Sequence, residues 1–582
     1  MTYLVNSADT FVDEMLEGLV SAYPGVLMRC RGGVIRTTRP ETGKVAVVAG
    51  GGSGHYPAFA GMVGPGMADG AVVGEVFTSP SASQAEGVCA AVDSGRGVVL
   101  VFGNYAGDVL NFGAAQRNLA ERGHDVRCIT VTDDIVSDAT PARRRGIAGD
   151  LFVFKIAGAA ADAGYDLDDV EAVARRANAA VRSYGIAFSG CTLPGATRPL
   201  FRVPDGQMSL GLGVHGESGV GESPLRPAAD IAAELTGKLL AERPPDAPRR
   251  VAVIVNGLGS VKYEELFVLW NSVREYLTQA GLEPVEPEVG EFVTSLDMAG
   301  CSVTLAWLDD ELERFWIAPC AALGFRRGRV EEAGAVPRNL PDDLNGESTA
   351  AAVEPAITTS ATGQAAGEHV AQLLEAVLRV LQENQLYLCE LDAVAGDGDH
   401  GTGMVRGATA AVRAARELCA AGAGAHAVLA GAGAAWGDRA GGTSGALWSA
   451  GLQAFASELP ANGPVTATQV QRGFAAALSK VTSDGGAKPG DKTLVDALVP
   501  FVEKLGSSLS AGLPLAAAWL AGADEATAAA GATAQLEAHL GRARVLAARS
   551  VGAPDPGATS LALALAATAR HIATRDHGGD DG

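Results

Sequence analysis

Three aspartates in the second half of the chain form the cluster whose spacing most directly indicates chemistry. Asp392, Asp397 and Asp399 stand in the segment LDAVAGDGDHGTG. Carboxylates this close in sequence repel one another unless a cation lies between them, and hard oxygen ligands suit Mg²⁺. For an Asp-X-Asp pair alone, a solvated loop that caps a helix is an equally good interpretation. An EF-hand loop opening at Asp397 is excluded, because its twelfth position holds Ala408 instead of Glu.

Glycine-rich loops in the same half could bind phosphate. Residues 441–445 read GGTSG and can present backbone N–H groups and two hydroxyls to phosphate oxygens, although a simple turn is the commoner explanation. Residues 485–493, GGAKPGDKT, resemble a Walker A loop, but Asp491 separates Gly490 from Lys492. This spacing excludes a P-loop NTPase.

Two histidines and one aspartate follow glycine-rich segments in the first half. His55 ends GGGSGH after a strand-like run, where an α/β sheet presents ligand-facing loops. Asp108 in GNYAGDVLNF could act as a base or could simply cap a helix. His215 in GLGVHGESG is sterically open and a neutral imidazole is a nucleophile, although a surface histidine is the default interpretation. The dinucleotide-type glycine spacing around it has no clear preceding strand and no following helix, so we interpret it as accidental.

The elements that must position these residues fall into two parts. In residues 1–330, apolar β-branched runs such as those at 45–49 and 97–102 alternate with helical stretches. The alternation predicts an α/β domain with parallel or mixed sheets. It loosens near residue 190, so we expect two lobes, about 1–190 and 191–330.

The second part has a different texture. Residues 331–366 are rich in Pro, Ala, Ser, Thr and acids, which predicts an extended linker. In residues 367–576 apolar positions recur at helical spacing and strand-like runs vanish, which predicts an all-α domain, a helical barrel or bundle. The uncharged stretch 505–523 contains Pro514 and predicts a buried helix-turn-helix instead of a membrane span. Residues 577–582 are expected to be a frayed tail.

Composition narrows the class of protein. The 582 residues carry a formal charge of −22, which argues against nucleic-acid binding because phosphate neutralisation needs clustered Lys and Arg. The eight cysteines are scattered without a Cys-X-X-Cys pair, which is typical of reduced cysteines and excludes a zinc ribbon. The first residues lack the basic flank and apolar run of a secretory signal. We therefore expect a cytoplasmic protein without a membrane partner.

Taken together, the motifs resemble the fused ATP-dependent dihydroxyacetone kinases, which include erythrulose kinases, over nearly the whole chain. The matching segments include GGGSGHYPAFAGMV, GNYAGDVLNF and LGLGVHGE in the first part and GGTSGAL, GDKTLVDAL and DPGATS in the second. The resemblance implies a ketose-binding K domain, a linker and a nucleotide-binding L domain. It also implies that ATP phosphorylates a terminal hydroxyl of a short ketose, in an enzyme that forms a homodimer.

In the K domain the resemblance implies roles for three side chains. His215 would hold the ketose as a covalent hemiaminal, and Asp108 would accept the proton of the hydroxyl being phosphorylated. His55 would orient the substrate or share charge. The sugar pocket would be lined by Gly52, Ser53 and Gly54.

In the L domain the resemblance implies that Asp392, Asp397 and Asp399 hold two Mg²⁺ ions bridging the phosphates of ATP. Phosphoryl transfer depends chiefly on positioning and on neutralising charge, which is what such ions supply. The residues expected to contact the nucleotide are His400, Gly401, Thr402, Gly403, Thr443, Ser444, Gly485, Leu494, Arg542, Asp555, Pro556 and Gly557.

One position departs from the family pattern. Where K-N-Y-X-G-D has lysine, this chain has Gly103. The loss of a long cation removes a donor and is expected to open space near the substrate, which favours a four-carbon ketose such as erythrulose over dihydroxyacetone. Two alternatives stay open: an FAD-AMP lyase (cyclising) on the same scaffold, and a non-catalytic ketose-sensing co-regulator.

Overall fold

The computed structural model describes residues 4–217, 219–330, 335–341, 344, 359–396, 398–540 and 550–576. The chain forms two compact units, Met1–Ser348 and Thr349–Gly582. The prediction for the tail 577–582 lies outside the described residues.

The first unit is an α/β structure built on two mixed sheets. One has six strands in the order β1-β2-β5-β4-β6-β7; the other has the order β10-β9-β8-β14-β11-β12, with β13 also beside β11. The strands of the first sheet, with β3, are β1 Leu27–Cys30, β2 Gly33–Arg36, β3 Thr38–Pro40, β4 Ala46–Ser53, β5 Gly70–Val76, β6 Val98–Gly103 and β7 Val126–Val131. Those of the second are β8 Val181–Ala187, β9 Gln207–Leu210, β10 Gly221–Pro224, β11 Arg250–Gly257, β12 Glu283–Pro284, β13 Glu288–Gly290 and β14 Gly300–Trp307. Three short strands follow: β15 Cys320–Ala321, β16 Arg326–Arg327 and β17 Ala335–Pro337.

Eight α-helices in the described part of this unit cover the sheets. They are α1 Phe11–Ala22, α2 Ala82–Val92, α3 Ala106–Glu121, α4 Gly149–Asp162, α5 Leu167–Ala180, α6 Ala228–Ala241, α7 Tyr263–Gln279 and α8 Asp310–Ile317. Strand β4 is buried on both faces, and alternate residues along it join two different apolar clusters, as the period of two of a strand requires. Helix α4 is buried along residues 149–161 and shares one apolar cluster with residues of both sheets. The two sheets therefore share a core, and the second begins at Val181, before the expected break near 190.

Part of the predicted linker is folded. Strand β17 pairs antiparallel with β3, and Arg338 donates from Nη1 to the carbonyl of Ala91 at 2.9 Å. The first helix of the second unit already begins at Ala361. Residues 331–334, 342–343 and 345–358 of the predicted linker lie outside the described residues.

The described part of the second unit is all-helical. Its helices are α9 Ala361–Glu383, α10 Gln385–Asp392, α11 His400–Ala420, α12 Ala425–Ala440, α13 Gly442–Ser457, α14 Ala467–Gly485, α15 Val495–Ser510, α16 Leu515–Ala532 and α17 Pro556–Asp576. Helices α9, α11, α12, α13, α14, α15, α16 and α17 pack each against the next, and α17 returns to α9, so they close into a barrel. The barrel encloses an apolar cavity of about 680 Å³ lined by residues such as Trp448, Phe455 and Phe474.

Helices α15 and α16 confirm the helix-turn-helix expected for 505–523, with the turn at Pro514. Among the described helices, none combines the length and the apolar character needed to cross a membrane.

Candidate active site

His55 lies just beyond the carboxyl end of β4, in a turn that needs glycine. Gly54 has φ +99°, and a Cβ there would lie 2.6 Å from the ring of Phe77. The Phe77 ring stacks on the His55 imidazole with centroids 5.0 Å apart. The Nδ1 atom of His55 lies 2.7 Å from the carbonyl oxygen of Thr294. These contacts fix the ring and direct its Nε2 atom away from Thr294.

His215 lies in the loop that joins β9 to β10, so a strand does precede it, contrary to the sequence expectation. Its glycines serve the loop itself: Gly211 and Gly216 have φ of +71° and +85°. At Gly213 a Cβ would lie 2.1 Å from Oε2 of Glu217, so only glycine lets that carboxylate approach. The loop continues into a strand and not a helix, which agrees with our interpretation that the dinucleotide-type spacing is accidental.

The two histidines meet. Their Nε2 atoms lie 3.0 Å apart although the residues are 160 positions apart in the chain. The Nδ1 atom of His55 faces a carbonyl oxygen, and Nδ1 of His215 faces Oε1 of Glu217 at 3.0 Å. Both Nδ1 atoms must therefore carry a proton, since a carbonyl and a carboxylate only accept. A hydrogen bond between the two Nε2 atoms would also require a proton on one of them.

Asp108 lies in the first turn of α3, at the same edge of the sheet, and it is 8% exposed. The helix is preceded by Tyr105, whose ring packs edge-on against the His215 ring at 4.7 Å. The Tyr105 hydroxyl donates to the carbonyl of Gly146 at 3.0 Å. His55 and His215 are thus in direct contact, and Asp108 follows three residues after a tyrosine that packs on His215 and that the sequence analysis did not single out.

Two further acids lie near Asp108 and were not predicted. Burial raises the pKa of Asp133 to about 6, although its carboxylate accepts from the N–H groups of Ile147 and Gly149. Burial also raises the pKa of Asp150 well above its ordinary value, and the negative charges of Asp133 and Asp108 raise it further. Both effects favour the protonated form of Asp150. In the sequence, the only local indication of Asp150 was its place at the end of RRGIAGD, next to the start of a helix.

The glycines and serine expected to line the sugar pocket are tightly packed. A Cβ at Gly52 would lie 2.7 Å from the backbone nitrogen of Thr78. The Ser53 hydroxyl donates to the carbonyl of Gly74 at 2.6 Å. These residues hold β4 against β5, and so set the position from which His55 projects.

Gly103 does not open space as expected. A Cβ at this position would lie 3.0 Å from Cε2 of Tyr105 and 3.4 Å from the carbonyl oxygen of Gly146. The volume is filled by the tyrosine ring that packs on His215, because Tyr105 turns back over the end of β6. The absence of a side chain here permits that ring position and leaves no vacant volume at Cβ.

In the second unit the predicted acidic loop folds around Asp392, the last residue of α10. Its Oδ2 atom accepts from the backbone N–H of Asp399 at 3.0 Å and of His400 at 3.3 Å. Helix α11 starts at His400, so the two carboxylates lie beside its N-terminus. The predictions for Asp397 and Arg542 lie outside the described residues.

Several predicted nucleotide contacts converge on this end of the barrel. Nε2 of His400 lies 2.9 Å from Oγ of Ser560, which joins the starts of α11 and α17. A Cβ at Gly557 would lie 3.6 Å from Cβ of Leu494, the residue before α15. The first turns of α11 and α17 therefore carry the predicted residues Gly401, Thr402, Gly403, Pro556 and Gly557.

The GGTSG loop lies at the same end. Gly442 has φ +61° and starts α13, so Thr443 and Ser444 stand in its first turn, where N–H groups lack intrahelical partners. A Cβ at Gly403 would lie 3.5 Å from the carbonyl oxygen of Ala440, which makes α11 and the start of α13 neighbours. Helix N-termini that share one edge favour phosphate.

The Walker-like segment does not use its lysine for phosphate. Lys492 is 6% exposed and its ammonium donates to the carbonyl oxygens of Leu536 at 3.1 Å, of Ala553 at 2.8 Å and of Ser550. This agrees with the exclusion of a P-loop. Gly485, the first residue of this segment, is also the last residue of α14.

The donor set fits a hard cation bound with phosphates. Burial, followed by the negative charges of Asp496 and Asp392, raises the pKa of Asp555 to about 7. The carboxylates therefore repel one another, and carboxylate oxygens are what Mg²⁺ prefers. Among the described residues, which omit Asp397, no three His, Cys, Asp or Glu side chains are arranged to hold a metal ion. Two of the three predicted ligands, Asp392 and Asp399, flank the loop.

Comparisons with known proteins agree with this architecture. The Dak1 domain matches residues 17–324 and the DAK2 domain matches residues 394–570. D-erythrulose kinase of Mycolicibacterium smegmatis is 49% identical over 97% of this chain and 97% of its own length. L-erythrulose 1-kinase of the same organism is 49% identical over 98% of this chain and 100% of its own. A solved structure of the dihydroxyacetone kinase from C. freundii in complex with AMP-PNP and Mg²⁺ is 29% identical, with a TM-score of 0.52 over 98% of this chain and 99% of that one.

Two matched domains cover most of the chain, and relatives far above 30% identity span all but a few per cent of it. The chain therefore belongs to the dihydroxyacetone kinase family, in the form that joins a Dak1 domain and a DAK2 domain in one polypeptide.

Proposed function

We propose that this enzyme uses ATP to phosphorylate a terminal hydroxyl of a short-chain ketose, with a four-carbon ketose as the preferred substrate. The observation that carries the proposal is the 3.0 Å contact between the Nε2 atoms of His55 and His215. It provides a nucleophilic nitrogen and an acidic proton at one point, which is what addition to a carbonyl needs.

In the proposed first step, Nε2 of His215 attacks the ketone carbon. A C–N bond forms, the π electrons of the carbonyl move to its oxygen, and the proton between the two Nε2 atoms goes from His55 to that oxygen. The product is a hemiaminal that holds the sugar in place. A polyol such as glycerol has no carbonyl and cannot form this adduct.

In the proposed second step, the oxygen of the substrate's terminal hydroxyl attacks the γ-phosphorus of ATP, and the bond from that phosphorus to ADP breaks. Asp108 accepts the proton that the hydroxyl loses. Burial and the negative charges of Asp133 and Asp108 raise the pKa of Asp150, which makes it a poorer candidate for the ionised base. The role of the base is therefore assigned to Asp108 and not to Asp150.

On the second unit, the starts of α11, α13 and α17 would bind the phosphates through backbone N–H groups and the hydroxyls of Thr443 and Ser444. Asp392, Asp397 and Asp399 would hold Mg²⁺, for which the family resemblance implies two ions. Bound Mg²⁺ supplies positive charge that offsets the negative charge of the triphosphate. Two backbone N–H groups fix the carboxylate of Asp392, which would help to hold the metal.

The preference for four carbons rests on the relatives that are erythrulose kinases. Because Tyr105 fills the space beside Gly103, the departure at this position adds no support for the larger substrate. A homodimer is also proposed, on the family resemblance alone, and light scattering of the purified protein would measure it.

The test is a substrate screen that follows ATP consumption with D-erythrulose, L-erythrulose, dihydroxyacetone and glycerol. We expect turnover with ketoses, the highest kcat/KM with one erythrulose enantiomer, and no turnover with glycerol. A strong preference for dihydroxyacetone would refute the four-carbon assignment. Formation of cyclic FMN from FAD and Mn²⁺, without any ketose phosphorylation, would replace the kinase proposal by the lyase alternative.

A further inference from the structure

We infer that Glu217 is a positioning residue that makes Nε2 of His215 the nucleophile and balances the charge of the sugar adduct. The inference rests on the proposed function, because it concerns the same histidine. It assigns a role to a residue that the motif GLGVHGE contains but that the sequence analysis left without one.

The carboxylate of Glu217 accepts two hydrogen bonds from His215. Its Oε1 accepts from the ring Nδ1 at 3.0 Å, and its Oε2 accepts from the backbone N–H of the same residue at 3.0 Å. Two contacts from one carboxylate fix both the rotation of the imidazole and the conformation of the loop. The Glu217 side chain is 6% exposed, so water does not compete for these bonds. The proton is thereby held on Nδ1, which leaves the lone pair of Nε2 for the substrate.

A buried cation lies beside Glu217. Nη1 of Arg145 lies 3.8 Å from Oε2 of Glu217, and Arg145 in turn donates to Oδ2 of Asp134 from Nε at 3.1 Å and from Nη2 at 2.7 Å. Nη2 also reaches the carbonyl of Gly211 at 3.3 Å, which ties the cation to the histidine loop. Although burial opposes it, the negative charges of Asp134 and Glu217 raise the pKa of Arg145, so the guanidinium stays charged.

The chain Asp134–Arg145–Glu217–His215 has a chemical consequence. When Nε2 forms the C–N bond, the ring becomes a substituted imidazolium that still carries its Nδ1 proton. The carboxylate of Glu217 faces that charge, or accepts the Nδ1 proton to leave a neutral adduct. The carbonyl oxygen takes its proton from His55, so no charge is created or lost. Without the carboxylate, the adduct would be a cation with no counter-charge at Nδ1.

The experiment compares Glu217→Gln with the wild type. Glutamine keeps the size and can accept one hydrogen bond, but it has no charge. We expect ketose affinity without ATP, measured by calorimetry, to fall about 10–100-fold, because the variant loses a hydrogen bond to a charged group. KM for the ketose should rise by a similar factor, while ATP affinity and the unfolding temperature change little. The matched control is Glu222→Gln, an exposed glutamate on the neighbouring strand β10, which should change none of these values.

A spectroscopic measurement separates positioning from mere stability. In the ligand-free wild type, ¹⁵N NMR of labelled histidine should show the His215 ring protonated at Nδ1, and Glu217→Gln should lower that population. Ketose binding within twofold of the wild type in the variant, or a wild-type His215 without a proton on Nδ1, would overturn the inference. If the variant fails to fold, the wild-type spectrum still decides. If no ketose is phosphorylated at all, the proposed function fails, whereas the ligand-free spectrum still tests the role of Glu217.

Discussion

At the level of single residues, each proposed group in the first unit is set by its neighbours. His55 is held by a carbonyl oxygen and an aromatic ring, and His215 is held by a carboxylate and by Tyr105. Each ring therefore has one nitrogen occupied and one directed at the other histidine. An imidazole with its tautomer fixed in this way is prepared for addition before the substrate arrives, which lowers the entropic cost of the reaction.

The prediction at this scale concerns His215→Ala. We expect the mass of the ketose adduct to disappear and ketose affinity to fall at least about tenfold, because the covalent bond is lost. ATP affinity should stay the same, since the proposed nucleotide residues belong to the other unit. Intact-protein mass spectrometry and calorimetry provide the readouts. His124→Ala, a half-buried histidine paired with Asp93, is the control, and unchanged ketose affinity in the His215 variant would contradict the hemiaminal.

At the level of elements, the two units position their residues by different means. In the first, parallel strands β4 and β6 end at one edge, so residues that follow them come together. In the second, helix N-termini gather at one end of a closed barrel, and residues 536, 550 and 553 of the segment between α16 and α17 must stay attached to that end. Lys492 does this by donating to three carbonyl oxygens of that segment.

We therefore predict that Lys492→Met loosens the segment and weakens nucleotide binding. Hydrogen bonds from a charged donor contribute about 1.5–3 kcal/mol each, part of which offsets the burial of the ammonium, so we expect a net loss of about 2–4 kcal/mol. For a unit of this size the loss corresponds to an unfolding temperature lower by about 5–10 °C. Calorimetric scanning and binding of an ATP analogue measure both effects. The exposed Lys488→Met is the control, and an unchanged scan would show that Lys492 has no such role.

At the level of the whole molecule, stability depends on apolar cores, and one of these cores contains a buried lysine. Helix α4 runs through the core shared by both sheets of the first unit, and Lys155 on it is 0% exposed. Its ammonium donates to the carbonyl of Phe315 on α8 at 2.6 Å. Burial lowers the pKa of Lys155 from its ordinary value near 10.5 to about 8.

This lowered pKa predicts how stability changes with pH. Below pH 8 the lysine is protonated in both the folded and the unfolded chain. Between pH 8 and 10.5 the folded state loses the proton first, so it binds fewer protons and the free energy of unfolding rises with pH. Relative to Lys155→Met, the wild type should gain no more than about 3 kcal/mol across this window. Urea unfolding at several pH values gives the difference.

When the free energy of unfolding of the variant is subtracted from that of the wild type at each pH, the contributions of titratable groups present in both proteins cancel. Lys238→Met, at an exposed position on α6, should show a difference that does not vary with pH. A pH-independent difference for Lys155→Met would mean that the buried lysine keeps its ordinary pKa.

The sequence by itself determined the features that are local or periodic. Strand and helix periods predicted an α/β part followed by a helical part, and the glycine motifs marked the loops that carry His55, Asp108, His215 and the acidic loop around Asp392. Only the tertiary structure decided what these loops meet. The 3.0 Å contact joins residues 160 positions apart, the cation beside Glu217 comes from another loop, and the ring of Tyr105 fills the place beside Gly103. Such contacts depend on how sheets and helices pack at long range, and a local pattern carries no record of that packing.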